Sequence, residues 1–157
     1  RMKNFSLKIQ GIETKKDSTS NQKSKDALRE KSFLLAVRIV RLYRYLTEEK
    51  KEFVLSKQIL RSGTNPGAMV REAANAETPL DFVHKLAIAQ KETGETQYWL
   101  ELLHVSDYLT EAEFQSIFSD TEEVMKLLRS SILTKKKKLA AQVSMLLLLS
   151  VSIFFLL

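Results

Sequence analysis

The stretch TPLDFVHKLAIAQKETGETQYWLELLH, Thr78 to His104, decides the fold. Thr78 belongs to the residue types whose side-chain oxygen caps a helix, and Pro79 fits the first helical position, where its missing N–H costs nothing. Asp81 completes a box-like Thr-x-x-Asp. From there Phe82, Leu86, Ala89, Thr93, Thr96, Leu100 and Leu103 recur at strict 4-3-4-3 spacing, the mark of an antiparallel bundle seam.

The neighbouring segments read the same way. Thr110-Glu111-Ala112-Glu113 is a second capping box, and Phe114, Ile117, Phe118, Val124, Leu127 and Leu128 carry a helix to about Thr134. Upstream, a helical pattern starts near Leu28, with Phe33, Val37, Val40 and Tyr43/Arg44 as its stripe up to Leu46. Thr47 to Lys51 form a charged turn. A further helix starts near Glu52 and carries Leu55, Ile59, Ser62, Met69, Ala73 and Ala76. Pro66 lies inside it, so a kink or restart is expected between Ser62 and Pro66. Four helices joined by short turns predict an all-α, up-down-up-down four-helix bundle over residues 27–134. Residues 1–26 are polar, Ser- and Lys-rich and aperiodic, and are expected to be a disordered extension without the apolar core of a signal peptide.

Composition narrows the chemistry. The 157 residues include no Cys and only two His, which leaves no thiol nucleophile, no zinc-thiolate site and few groups titrating near neutrality. The net charge of +6 is unevenly spread. Residues 32–71 hold eight basic and three acidic side chains, whereas residues 72–134 hold four and twelve. That asymmetry suits self-association at least as well as a nucleic-acid partner.

The candidate sites follow. Glu101-x-x-His104 has the spacing of a di-iron bundle motif, but such a site needs that pair on two helices. Asp81-x-x-His84 lies on the same helix, and twenty residues at about 100° each turn the two imidazoles roughly 200° apart. No metal or cofactor is expected, and the stripe Gln90, Gly94, Gln97, Glu101, His104 reads as a solvated face. Glu92, Glu95 and Trp99 form a neighbouring stripe, with Lys57, Arg61 and Arg71 as its expected basic partners. Ser62 to Gly67 lacks the spacing of a phosphate loop. Its Gly63-x-x-x-Gly67 reads as a close-approach surface for Ala89, Thr93 and Thr96. Arg38, Arg41 and Arg44 line the first helix beside Tyr43 and Tyr45, and the alternative reading uses them to bind RNA or DNA.

Residues 135–157 open with Lys135–Lys138 and continue as LAAQVSMLLLLSVSIFFLL, Leu139 to Leu157, without a charge. As a helix this run measures roughly 28 Å, enough for a bilayer core, with the lysines holding the bundle on the cytoplasmic side. A membrane anchor and an atypical extension of this one open reading frame are the two readings of it.

The segments KSFLLAVRIVRLYRYL (31–46), EFVLSKQILRSGTNPGAMVREA (52–73), DFVHKLAIAQKETGETQYWLELL (81–103) and YLTEAEF (108–114) resemble the 23S rRNA intervening-sequence proteins over about residues 28–134. Arg61-Ser62-Gly63-Thr64 and Val70-Arg71-Glu72-Ala73 match the second-helix motif of that family. Lys91-Glu92, Glu95-Thr96 and Tyr98-Trp99-Leu100 match its third. The resemblance implies a left-handed four-helix bundle, a ring-like homopentamer and no enzymatic activity. Relatives include the accessory protein of diversity-generating retroelements, which binds a reverse transcriptase and nucleic acid. Subunit and packing contacts are expected at Arg61, Arg71, Glu92, Glu95 and Trp99, the chain's principal partner being itself.

Overall fold

The computed structural model describes the backbone of residues 20–156 and the side chains of residues 26–146. Four helices make up the described chain: α1 (Ser20–Glu48), α2 (Leu55–Ala74), α3 (Pro79–Val105) and α4 (Glu111–Leu156). Each packs on its sequence neighbour and α4 closes on α1, while the backbones of the two diagonal pairs stay more than 8 Å apart, Cα to Cα. All four seams are antiparallel. Gly63 and Gly67 lie against Ile39 and Ser32, Ser62 meets Thr96, Gln97 meets Thr121, and Lys31 meets Glu123. The up-down-up-down bundle is therefore the observed topology. The expected disordered segment falls mainly on residues 1–19, which lie outside the described ones. The backbone is already helical at Ser20, ahead of the start expected near Leu28.

Both helix starts are capped by the expected threonines, the first through the Thr78 side chain alone and the second as a full capping box. Thr78 Oγ1 accepts from the Asp81 N–H at 3.0 Å. In the second box the Thr110 N–H donates to Glu113 Oε2 at 3.0 Å, and the Glu113 N–H returns a 3.3 Å bond to Thr110 Oγ1. The α3 seam is also as read, with Leu86, Ala89, Thr93, Thr96, Leu100 and Leu103 buried. Its two threonines stay in the core by donating to the carbonyls of Ala89 and Glu92 one turn back.

Three expectations are corrected. The core stripe of α1 is Leu28, Ser32, Leu35, Ile39, Leu42 and Leu46, whereas Phe33 and Val40 are 49% and 43% exposed. The helix carries two apolar stripes, and periodicity picked the outer one. Second, α2 runs unbroken through Pro66, which is buried inside it. Packing against α1 and α3 outweighs the cost of one missing backbone hydrogen bond. Third, α4 does not stop near Thr134 but continues past the bundle to Leu156. Among the described residues no helix is long and apolar enough to cross a membrane. The run expected to do so, Leu139–Leu157, has its side chains described only to Leu146.

The two glycines of α2 serve α1 rather than α3, while Ser62 beside them meets Thr96 of α3. A Cβ on Gly63 would sit 2.6 Å from Ile39 Cγ1, and one on Gly67 3.2 Å from the Ser32 carbonyl oxygen. A Cβ at Gly94, by contrast, would meet only Met125 Cε at 3.9 Å, an ordinary contact.

Candidate functional site

Three polar constellations stand out. The first is Glu52, at the turn before α2. Only 7% exposed, it turns its carboxylate onto the start of the helix and accepts from the N–H groups of Val54 and Leu55 at 2.8 Å and Ser56 at 2.6 Å. Burial pushes its carboxyl up, but the backbone donors at Leu55, Val54 and Ser56 outweigh that and hold it below the usual carboxylate range. Sequence reasoning placed the helix start here and missed the role. The available signal was an acid directly ahead of the first turn, where the helix dipole favours negative charge.

The second is Arg38. Its guanidinium is ion-paired with Asp120 and donates to the carbonyl and hydroxyl oxygens of Ser116, both at 2.7 Å. One planar fork thus spans a full turn of α4. Lys31 pairs with Glu123 at 2.8 Å further along the same seam. Arg38 was a candidate nucleic-acid contact; the structure spends its donors on α4. Arg44 pairs with Glu48 along its own helix at 3.4 Å. Arg41 and Arg44 rim a groove of about 560 Å³ between α1 and the start of α4, floored by Leu42, Leu109 and Ile117. Replacing Arg38 by Ala is expected to lower stability by about 1 kcal/mol, since the group is partly exposed and screened. Arg38→Lys should recover less than half of that in chemical denaturation, because one ammonium cannot reach both residues.

The third is His104. Its Nδ1 lies 3.1 Å from the Leu109 carbonyl oxygen and its Nε2 2.9 Å from the Glu111 carboxylate. Its ring stacks on Phe114 with centroids 4.7 Å apart. His104 thereby pins the α3–α4 turn, where Asp107 adopts a left-handed φ of 61° and the Tyr108 N–H closes back on the Leu103 carbonyl. The stripe expected to be solvated is therefore the α3/α4 seam: Gln97 donates to Thr121 at 3.0 Å and Gly94 faces Met125, leaving Glu101 exposed. Among the described residues no three His, Cys, Asp or Glu side chains group so as to hold a metal.

The expected charge partners do not meet within one chain. Arg71 lies over the Phe33 ring at 5.0 Å, and Glu95 accepts from Trp99 Nε1 at 3.2 Å. Arg61 is exposed and Glu92 half-buried. The ion pair across α2 and α3 has the opposite polarity from the one expected, with Lys85 on α3 holding Glu72 on α2 at 2.9 Å.

Among solved structures, the chain is similar to a protein of unknown function assigned to the S23 ribosomal protein family, from Bacteroides thetaiotaomicron VPI-5482. The two share 52% sequence identity with a TM-score of 0.69, over 69% of this chain and 97% of that one. No curated protein matches. Residues 25–130 match the family described as 23S rRNA-intervening sequence protein. That match covers nearly all of the bundle and more than half of the chain, and places the protein in the 23S rRNA-intervening sequence protein family.

Proposed function

We propose that the protein is a non-enzymatic, left-handed four-helix bundle that works as a closed homo-oligomer, a pentamer on the family resemblance. The observation that carries this is the second apolar stripe of α1. Phe33 and Val40 face outward while Leu35, Ile39 and Leu42 of the same helix fill the core. A helix with two apolar stripes is suited to packing on its own bundle and on a neighbour at once. Arg71 and Arg44 flank the outer stripe. On the diagonally opposite helix, α3, Tyr98 is 55% exposed and has Glu95 and Glu101 one turn to either side. Two patches of opposite sign on different sides of one molecule favour a head-to-tail contact, which closes into a ring when the rotation allows.

Light scattering on the full chain, in a mild detergent that masks the apolar part of α4, is expected to give a nuclease-resistant multimer. Val40→Glu, Arg71→Glu and Glu95→Lys should each lower its mass, while the circular dichroism of the fold is retained. A monomeric wild type, or particles that persist only with RNA, would overturn this reading and promote nucleic-acid binding through Arg41, Arg44 and the lysine-rich flanks. Such binding would weaken steeply with salt.

A further inference from the structure

α4 does not end where its partners do. Lys135 Nζ lies 5.6 Å from the centre of the Phe82 ring, so α4 leaves the bundle level with the first turn of α3. It continues without a break to Leu156, an extension of roughly 30 Å at 1.5 Å per residue. The first residues of the extension are Lys135–Lys138, of which Lys136, Lys137 and Lys138 are exposed. Beyond them the sequence carries no charge as far as Leu157.

The described side chains show what kind of surface this is. Val143, Met145 and Leu146 are 56%, 58% and 62% exposed. At about 100° per residue they point roughly 0°, 200° and 300° around the axis. They span roughly 160° of the circumference, and the sequence from Leu139 to Leu157 holds only Gln142, Ser144, Ser150 and Ser152 as polar residues, too scattered at helical spacing to make a polar face. A single apolar stripe is satisfied by another helix, whereas an all-round apolar surface needs an apolar medium or a protein core around it. The bundle offers no such core, because its own seams are closed by the four helices.

We propose that α4 beyond Lys138 inserts into a lipid bilayer bearing anionic headgroups, with Lys135–Lys138 as the interfacial collar. Charge complementarity selects the lipid: a lysine cluster immediately beside an apolar run attracts negative headgroups and keeps its own charge in water. A second feature lies at the same end of the bundle. Leu80, on the first turn of α3 close to Phe82, is 71% exposed. Because α4 passes from bundle to extension as one helix, insertion holds the α2–α3 turn and Leu80 at the headgroups. The α1–α2 and α3–α4 turns then point away from the membrane. The inference does not depend on the assembly reading.

The test is flotation of the full chain with vesicles of phosphatidylcholine alone or with a third phosphatidylglycerol, each followed by a wash in molar salt. Co-flotation with the anionic vesicles that survives the wash is the expected result. The double variant Val143→Asp/Leu146→Asp should leave about tenfold less protein in the floated fraction. Both residues lie outside the bundle, so unchanged circular dichroism verifies its fold. Replacing Lys135–Lys138 by serine should remove the preference for phosphatidylglycerol. Release of the wild type by salt would show electrostatic adsorption and overturn insertion. So would failure to float with any vesicle, or an Asp pair that floats like wild type.

Discussion

Glu52→Gln is expected to lower the unfolding free energy by about 2–3 kcal/mol, because charged hydrogen bonds to three backbone N–H groups are lost at once. Gln keeps the size of the side chain but offers one carbonyl oxygen, and its NH2 group faces donors. The Ser56 N–H in particular finds no substitute acceptor, because Ser56 is fully buried against the Glu52 carboxylate. The effect should depend on pH with a definite sign. The folded carboxyl titrates below its ordinary value, so the native state gives up this proton more readily than the unfolded chain. Its stabilisation is complete above the ordinary carboxylate range and is lost as the pH falls through the folded value. Denaturation of wild type and Glu52→Gln should therefore differ by a constant amount near neutrality and converge on acidification. A gap that persists unchanged into acid would mean that lost packing, not the carboxylate, was measured.

Gly63→Ala is expected to cost about 1–3 kcal/mol even though Ala is the better helix former by about 1 kcal/mol. The new Cβ would meet three atoms of Ile39 at 2.6 to 3.0 Å. Ile39 is fully buried and β-branched, so it has little freedom to swing away. Removing the obstacle tests the explanation. In the Ile39→Ala background, Gly63→Ala should cost less than in wild type, or become stabilising, because the new methyl enters the space vacated. Equal costs in the two backgrounds would place the strain elsewhere in α2. Gly67 offers no such rescue: its neighbour is the Ser32 carbonyl oxygen, part of the α1 backbone.

The two outcomes follow from how the bundle is joined. α1 and α2 approach closely through glycine, with no side chain between backbone and Ile39. α1 and α4 stand further apart around a groove and are tied by Arg38 and Lys31. Within one molecule the first seam is governed by shape and the second by charge. Salt should accordingly weaken the contribution of Arg38 more than that of the Gly63 contact.

Several features were legible in the residues because their causes are local. The caps at Thr78 and Thr110 depend on groups three positions apart, and the 4-3 seam of α3 depends on a helical repeat that any neighbour would read alike. The number of helices, their order and the core face of α3 follow from such signals, and so does the family resemblance. What only the tertiary structure decided concerns choices between faces that are locally equivalent. Phe33-Val37-Val40 and Leu35-Ile39-Leu42 are both acceptable apolar stripes, and the area buried against α2 and α4 together selects the second. Pro66 is a helix breaker by its own chemistry, yet packing on two sides carries α2 through it. Arg38 looked like a free cation until α4 placed Asp120 and Ser116 against it, and the Glu52 carboxylate gained its role only when the turn folded it out of water. Local preferences amount to about 1 kcal/mol per residue or less for most residue types, while burial of a large apolar side chain contributes about 1.5–3 kcal/mol. Where the two disagree, burial across elements prevails.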